Sequence, residues 1–215
     1  MDWFRQIDIY CERMDASFWA EPLNAVTNAA FLIAAGLIAL SLSKAKPVDI
    51  PAWILTALVA VIGIGSFLFH TLATRWALLA DVLPISIFIY VYLFLSLRRF
   101  LGFRIVSAIA VVIGFGLVSY WWGEPLNAAF GSTGSYVPAF LAMVVTGFAM
   151  LGKKAGIALG LFAAATVFAV SMSFRMLDAP VCAEFPQGTH FVWHILNATT
   201  LFILLRVFVG ARTQA

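Results

Sequence analysis

The sequence predicts an all-α membrane protein: a bundle of seven transmembrane helices, with the N-terminus outside and the C-terminus in the cytoplasm. Three observations predict it. The 215-residue chain is 63% hydrophobic and 11% charged, with a mean hydropathy of +1.01; a soluble domain is about half apolar and about a quarter charged. Apolar runs close to the ~20 residues that a bilayer core requires recur seven times. Lys and Arg are distributed unequally between alternate connections.

The first span is expected over 21–43, opened by Glu21 and Pro22 and closed by "KAKPVDIP". The second runs over 51–72. The third, 76–98, begins within "ATRWALLA" and stops at "RRFLGFR". The fourth is placed at 104–122, before the turn-rich stretch "GEPLNAAFGSTG". The fifth, 134–152, is short, contains Pro138 and ends at "GKKAG". The sixth and seventh follow at 155–175 and 188–209. At this length only helices satisfy their own backbone groups in lipid. The chain thus divides into an outer segment, 1–20, a seven-helix domain, 21–209, and a cytoplasmic tail, 210–215.

Orientation follows from the short connections. With the N-terminus outside, nine basic residues face the cytoplasm: Lys44, Lys46, Arg98, Arg99, Arg104, Lys153, Lys154, Arg206 and Arg212. Four face out: Arg5, Arg13, Arg75 and Arg175. Of the ten acids only Asp49 then lies inside; an outer mouth that binds cations or performs catalysis would account for the imbalance. The first twenty residues carry Asp2, Arg5, Asp8, Glu12, Arg13 and Asp15, too many charges for a cleavable signal peptide. The basic residues are dispersed over the loops, which excludes a nucleic-acid surface. Lys44, Lys46, Lys153 and Lys154 are all in loops, so no lysine inside the bundle can carry a retinal Schiff base.

The chain has three histidines, and the topology brings them to one membrane depth. His70 closes the second span in "GSFLFHTL", while His190 and His194 open the seventh in "THFVWHIL". Spacing of four puts the latter pair on one helix face. Three imidazoles with one open position are the ligand set of a catalytic zinc. Ser66 stands four residues before His70 on the same face, placed to donate to a developing oxyanion or to back-bond within its helix. Asp81 opens the third span, where it could pass a proton or serve as a fourth ligand. Cys11 and Cys182 both fall on the outer side, where a disulfide is permitted and two free thiols are the alternative. "WAEPLNA" at 19–25 recurs as "WGEPLNA" at 122–128, both expected at an outer membrane boundary.

"SFLFHTL", Asp81, "HFVWH" and the upstream "YCERMDASFWAEPLNAVTN" together resemble the alkaline ceramidase family, seven-helix membrane hydrolases. The resemblance spans most of the chain. It implies a zinc amidase that cleaves ceramide, or a related lipid amide drawn from the bilayer, into a sphingoid base and a fatty acid. Zinc would be held by His70, His190 and His194, with Asp81 handling the proton of water and Ser66 assisting at the carbonyl. The resemblance also implies a calcium ion on Asp8, Glu12, Asp15 and Glu21, and a Cys11–Cys182 bridge. Two alternatives stay open: a lipid esterase of the same superfamily, and a receptor-like binder with a structural metal. Short loops point to a bacterial inner membrane with the site facing the periplasm, or to the lumenal face of a eukaryotic organelle membrane. Oligomeric state has no signature in the sequence.

Overall fold

A computed structural model describes residues 2–214; residue 215 of the expected tail lies outside the described residues. Among the described residues the regular elements are all helices, with one isolated bridge, Gln6 to Thr74. The elements are α1 (Pro22–Thr27), α2 (Ala29–Ser43), α3 (Ile50–Leu72), α4 (Arg75–Arg99), α5 (Ile105–Phe130), α6 (Val137–Leu151), α7 (Ala155–Val181) and α8 (His190–Gly210). Six stretches are long and apolar enough to cross a bilayer, which makes this a multi-pass helical membrane protein. One of the six is the 47-residue stretch Ile105–Leu151.

Local chemistry sets most boundaries. α3 begins at Asp49, whose carboxylate accepts from the Ala52 N–H at 3.3 Å, with Pro51 in the first turn. It ends at Ala73, a left-handed residue (φ 45°) that closes the turn into α4. The first span is broken at Asn28 into α1 and α2. Two boundaries differ from the sequence reading. The second "EPLNA" copy lies inside α5, which continues to Phe130 and stops only at Gly131 (φ 58°), where a 3-10 turn, Gly131–Tyr136, begins. Turn-forming residues there are outvoted by one more stretch of helix, and the two similar heptapeptides occupy different settings. α7 likewise runs six residues beyond the expected end, through Pro180 to Val181.

The helices form a ring in which α2 packs on α3 and α8, α3 on α4, α6 on α7, and α7 on α8. Inside it Phe31, Ile38, Leu55, Val59, Leu205 and Phe208 build one apolar core. α5 stands at the rim, with Ala108 its one buried residue. Ala142 of α6 packs in the cluster of Leu93, Leu97 and Ala108, so the chain doubles back after α5.

The two ends of the ring are chemically different. α3 is 23 residues long, or roughly 34 Å at 1.5 Å per residue, and carries Asp49 at one end and His70 at the other. At the Asp49 end, Arg99 makes a two-pronged contact with that carboxylate (2.8 and 2.9 Å), donates to the Phe208 carbonyl and lies over the Phe208 ring. At the His70 end, the N-terminal segment caps the bundle. Its backbone runs beside the α3–α4 turn, with Ile7 N–H donating to Ala73 and Arg75 N–H to Arg5.

Candidate metal centre

His70, His190 and His194 are at most 2% exposed. One ring nitrogen from each lies within 4.8 Å of the others, and among the described residues they form a set able to hold a metal ion. Two nitrogens, His70 Nε2 and His190 Nδ1, are buried without a hydrogen-bond partner. An orphaned imidazole nitrogen in a dry interior is costly; a cation at the centre removes that cost.

The opposite edges of two rings are held. His70 Nδ1 donates to Glu21 Oε2 at 2.6 Å, with both side chains 3% exposed or less. His194 Nδ1 lies 3.0 Å from the Thr27 hydroxyl. That hydroxyl already gives its proton to the Leu23 carbonyl at 2.7 Å, so it accepts from His194. His194 Nε2 is thereby left as the lone-pair nitrogen. Carboxylate or hydroxyl groups behind ligating histidines fix tautomer and ring orientation in this way. The third ring, His190, is stacked on Tyr10, centroids 3.7 Å apart. Burial pushes the Tyr10 phenol well above its usual range.

The histidines are placed by groups distant in sequence. Asp178, near the end of α7, accepts from the backbone N–H groups of Thr189 (2.7 Å) and His190 (2.9 Å) with one oxygen and from Cys11 with the other. It caps α8 from outside and ties the N-terminal segment to that helix. Gly188 (φ 61°) makes room, since a Cβ there would overlap the Asp178 carboxylate and meet Cys11 Cβ at 2.8 Å. The Cys11–Cys182 disulfide closes the same corner.

Ser66 and Asp81 stand with His190 and His194 on the wall of a cavity of about 280 Å³. Gly65 brings them together: a Cβ there would overlap the Ala80 carbonyl oxygen, so the bare backbone is what lets α3 and α4 touch. Ser66 lies beside the Asp81 carboxyl on that wall, and Asp81 Oδ1 is buried without a partner. Asp81 is outside the converging histidine set. The cavity shares Ile62, Ile85, Tyr136 and Asn197 with a narrower one of about 70 Å³, which descends between α4, α6 and α8 past Phe88, Met143 and Leu201.

The four acids expected to hold calcium differ in their surroundings. Asp8 is exposed. Asp15 is exposed and accepts from the Ser17 N–H at 2.8 Å; the Ser17 side chain and that N–H hold its carboxyl below the ordinary range. Glu12 accepts from the Leu23 and Asn24 N–H groups (2.6 and 2.8 Å) and so caps α1. Burial raises its carboxyl more than those bonds lower it. Glu21 faces His70 on one oxygen and Arg13 Nε, at 2.5 Å, on the other. Burial works to raise the Glu21 carboxyl, but the bonds to His70 and Arg13 outweigh it and hold it low. The Arg13 guanidinium also donates to the carbonyls of Asp15 and His70. One oxygen of Glu21 is thus taken by Arg13 and the other by His70.

Tyr10, Thr27, Asp178 and Gly65 were not singled out from sequence. Thr27 and Gly65 carry no signal beyond being small residues in apolar helices. Asp178 was visible as an acid at the end of a span, which in a membrane protein marks a site. No family model matches the chain, and neither does any curated protein.

Proposed function

We propose that the protein is an integral-membrane, zinc-dependent hydrolase of lipid amides, ceramide or a relative of it, built on seven transmembrane helices with the N-terminus outside. One observation carries this reading: three buried imidazoles converge, two with orphaned nitrogens, and two of the three, His190 and His194, share a cavity wall with Ser66 and Asp81, in a cavity that adjoins an apolar one inside the bundle. The seven-span count rests on the reversal after α5. The orientation rests on the basic residues at the Asp49 end.

His70, His190 and His194 would hold the ion, which in a three-histidine site is most often zinc with one coordination position left open. When bound, it supplies Lewis acidity at the substrate carbonyl. The chain's own groups do the rest. Asp81 Oδ1, free of partners, takes the proton of the attacking water and returns it to the leaving nitrogen as the C–N bond breaks. Ser66 holds the carboxylate while it is charged; once Asp81 is protonated, the hydroxyl is released to donate to the carbonyl oxygen. The apolar cavity takes the acyl chain and excludes water from it. Asp81 outside the histidine set favours an open catalytic site over a closed structural one.

The test is metal analysis with a screen of product release on purified protein. About one zinc per chain and release of fatty acid from ceramide by wild type, absent in His194→Ala and in Asp81→Ala, support the reading. Zinc-loaded protein inert toward lipid amides rejects it, and turnover of esters alone turns it into an esterase.

A further inference from the structure

Arg175 is unexplained by the catalytic scheme. It lies in α7, inside a stretch apolar enough to span a bilayer. It lines the histidine cavity but not the apolar continuation. Nη1 donates to the hydroxyls of Ser132 (2.6 Å) and Thr133 (3.1 Å), and Nη2 to the Tyr10 phenol at 3.4 Å. The Tyr136 and Trp193 rings flank the guanidinium at 5.5 and 5.6 Å. All these partners are neutral. Among the described residues the ion pairs are Arg13–Glu21, His70–Glu21 and Arg99–Asp49, and no carboxylate pairs with Arg175.

A cation at this depth is expensive, and such groups pair with an opposite charge or serve a ligand. Arg99, at the other end of the bundle, shows the paired solution. Arg175 is instead held rigidly by hydroxyls and rings. Of its five donors, Nε–H and one hydrogen on Nη2 have no partner among the described residues. Nε and Nη2 make up the side-on edge of the guanidinium, the edge that grips a carboxylate or phosphate through parallel bonds, and its one bond is the 3.4 Å contact to Tyr10. Tyr10, which receives the Nη2 bond, is stacked on His190, so this fork is one phenol ring from the metal centre.

We propose that Arg175 selects the substrate: it reads an anionic group, a carboxylate or a phosphate, on the amine half of the lipid amide. The proposal rests on the hydrolase reading for the scissile bond and refines its substrate from a neutral ceramide to an N-acyl compound with an acidic head. The acyl chain occupies the apolar cavity, and the acidic head points away from it toward the exposed lining residues Ile9, Ser132 and Ser135.

The experiment compares three amides of one acyl chain on zinc-loaded full-length protein in nanodiscs: N-dodecanoylglycine, N-dodecanoyl-phosphoethanolamine and neutral N-dodecanoylethanolamine. Binding is followed by Trp193 fluorescence against a Trp193→Phe control, and hydrolysis by release of dodecanoate. One acidic amide binding and turning over at least about tenfold better than the neutral one supports the proposal, and which of the two does so names the anion. Arg175→Gln should erase that preference and Arg175→Lys should keep part of it, because a point charge remains without the fork. Since Arg175→Gln also removes the tie to Ser132 and Thr133, the wild-type comparison stands by itself if that variant does not fold. Equal handling of all three amides by wild type overturns the proposal and leaves the hydrolase intact. Selective binding of an acidic amide with no turnover keeps the anion site and rejects the hydrolase.

Discussion

Replacing Glu21 by Gln tests whether this residue serves the histidine centre. The Glu21–His70 bond is 2.6 Å long, with the side chains 3% and 0% exposed, so solvent screens it little. A hydrogen bond to an ionised acceptor contributes about 1.5–3 kcal/mol, against about 1 kcal/mol for a neutral pair. Glutamine keeps the shape and loses the charge, so about 1–2 kcal/mol of the force that orients His70 and makes it a better ligand is removed. At about 1.4 kcal/mol per decade, zinc should bind about 5- to 30-fold more weakly, overlapping the range found for carboxylates behind metal-bound histidines. Competition with a chromophoric chelator on detergent-purified protein measures this directly. Glu12→Gln is the control, because Glu12 caps α1 but does not touch a histidine; it should lower stability and leave zinc affinity unchanged. Glu21→Gln also weakens the partner of buried Arg13 and will lower thermal stability, which is why affinity is the readout. Zinc affinity within about twofold of wild type would refute the role assigned to Glu21. Unchanged zinc affinity together with loss of a calcium-dependent rise in stability would return Glu21 to the calcium set.

Gly65→Ala places a Cβ against the Ala80 carbonyl, 2.7 Å from its carbon and 3.2 Å from Asp81 N. Backbone cannot swing aside, so α3 and α4 must part, at a cost of about 1–3 kcal/mol. Hydrolysis should fall at least about tenfold through loss of the Ser66–Asp81 contact while zinc content, set by α3 and α8, stays near wild type; full activity would show that the contact is dispensable. At the other end of the bundle, burial pushes Asp49 up, but the Arg99 guanidinium and the Ala52 N–H together pull its carboxyl below the ordinary range. A group depressed in the folded state stabilises above its unfolded pKa and loses that contribution as pH falls through the folded one. The stability difference between wild type and Asp49→Asn should therefore be largest near neutrality and shrink below about pH 4; denaturation series giving a constant difference from pH 7 to pH 3 would reject the assignment.

Composition and hydropathy were sufficient for the membrane class, because the free energy of placing helices in lipid is a sum over residues and needs no partner. The three histidines were legible for a similar reason. Helical spacing places His190 and His194 on one face, and span ends place His70 at the same depth. Boundaries were less legible where two local tendencies compete. "GEPLNAA" contains turn and helix formers alike, and only the packing of α5 onto the following 3-10 turn decided for helix. What the sequence could not contain was the partner of each polar group. Glu21 reads as one more acid in an acidic N-terminal segment until α3 places His70 against it. Asp178 reads as a loop end until it caps a helix twelve residues away, and Arg175 as an outer-side charge until α7 continues past it. Identity and spacing along the chain are one-dimensional properties. Which charge is compensated, which nitrogen is orphaned and which cavity a guanidinium faces depend on distances between helices, and those were decided by close contacts such as Gly65 on Ala80 that leave no mark in the sequence beyond a missing side chain.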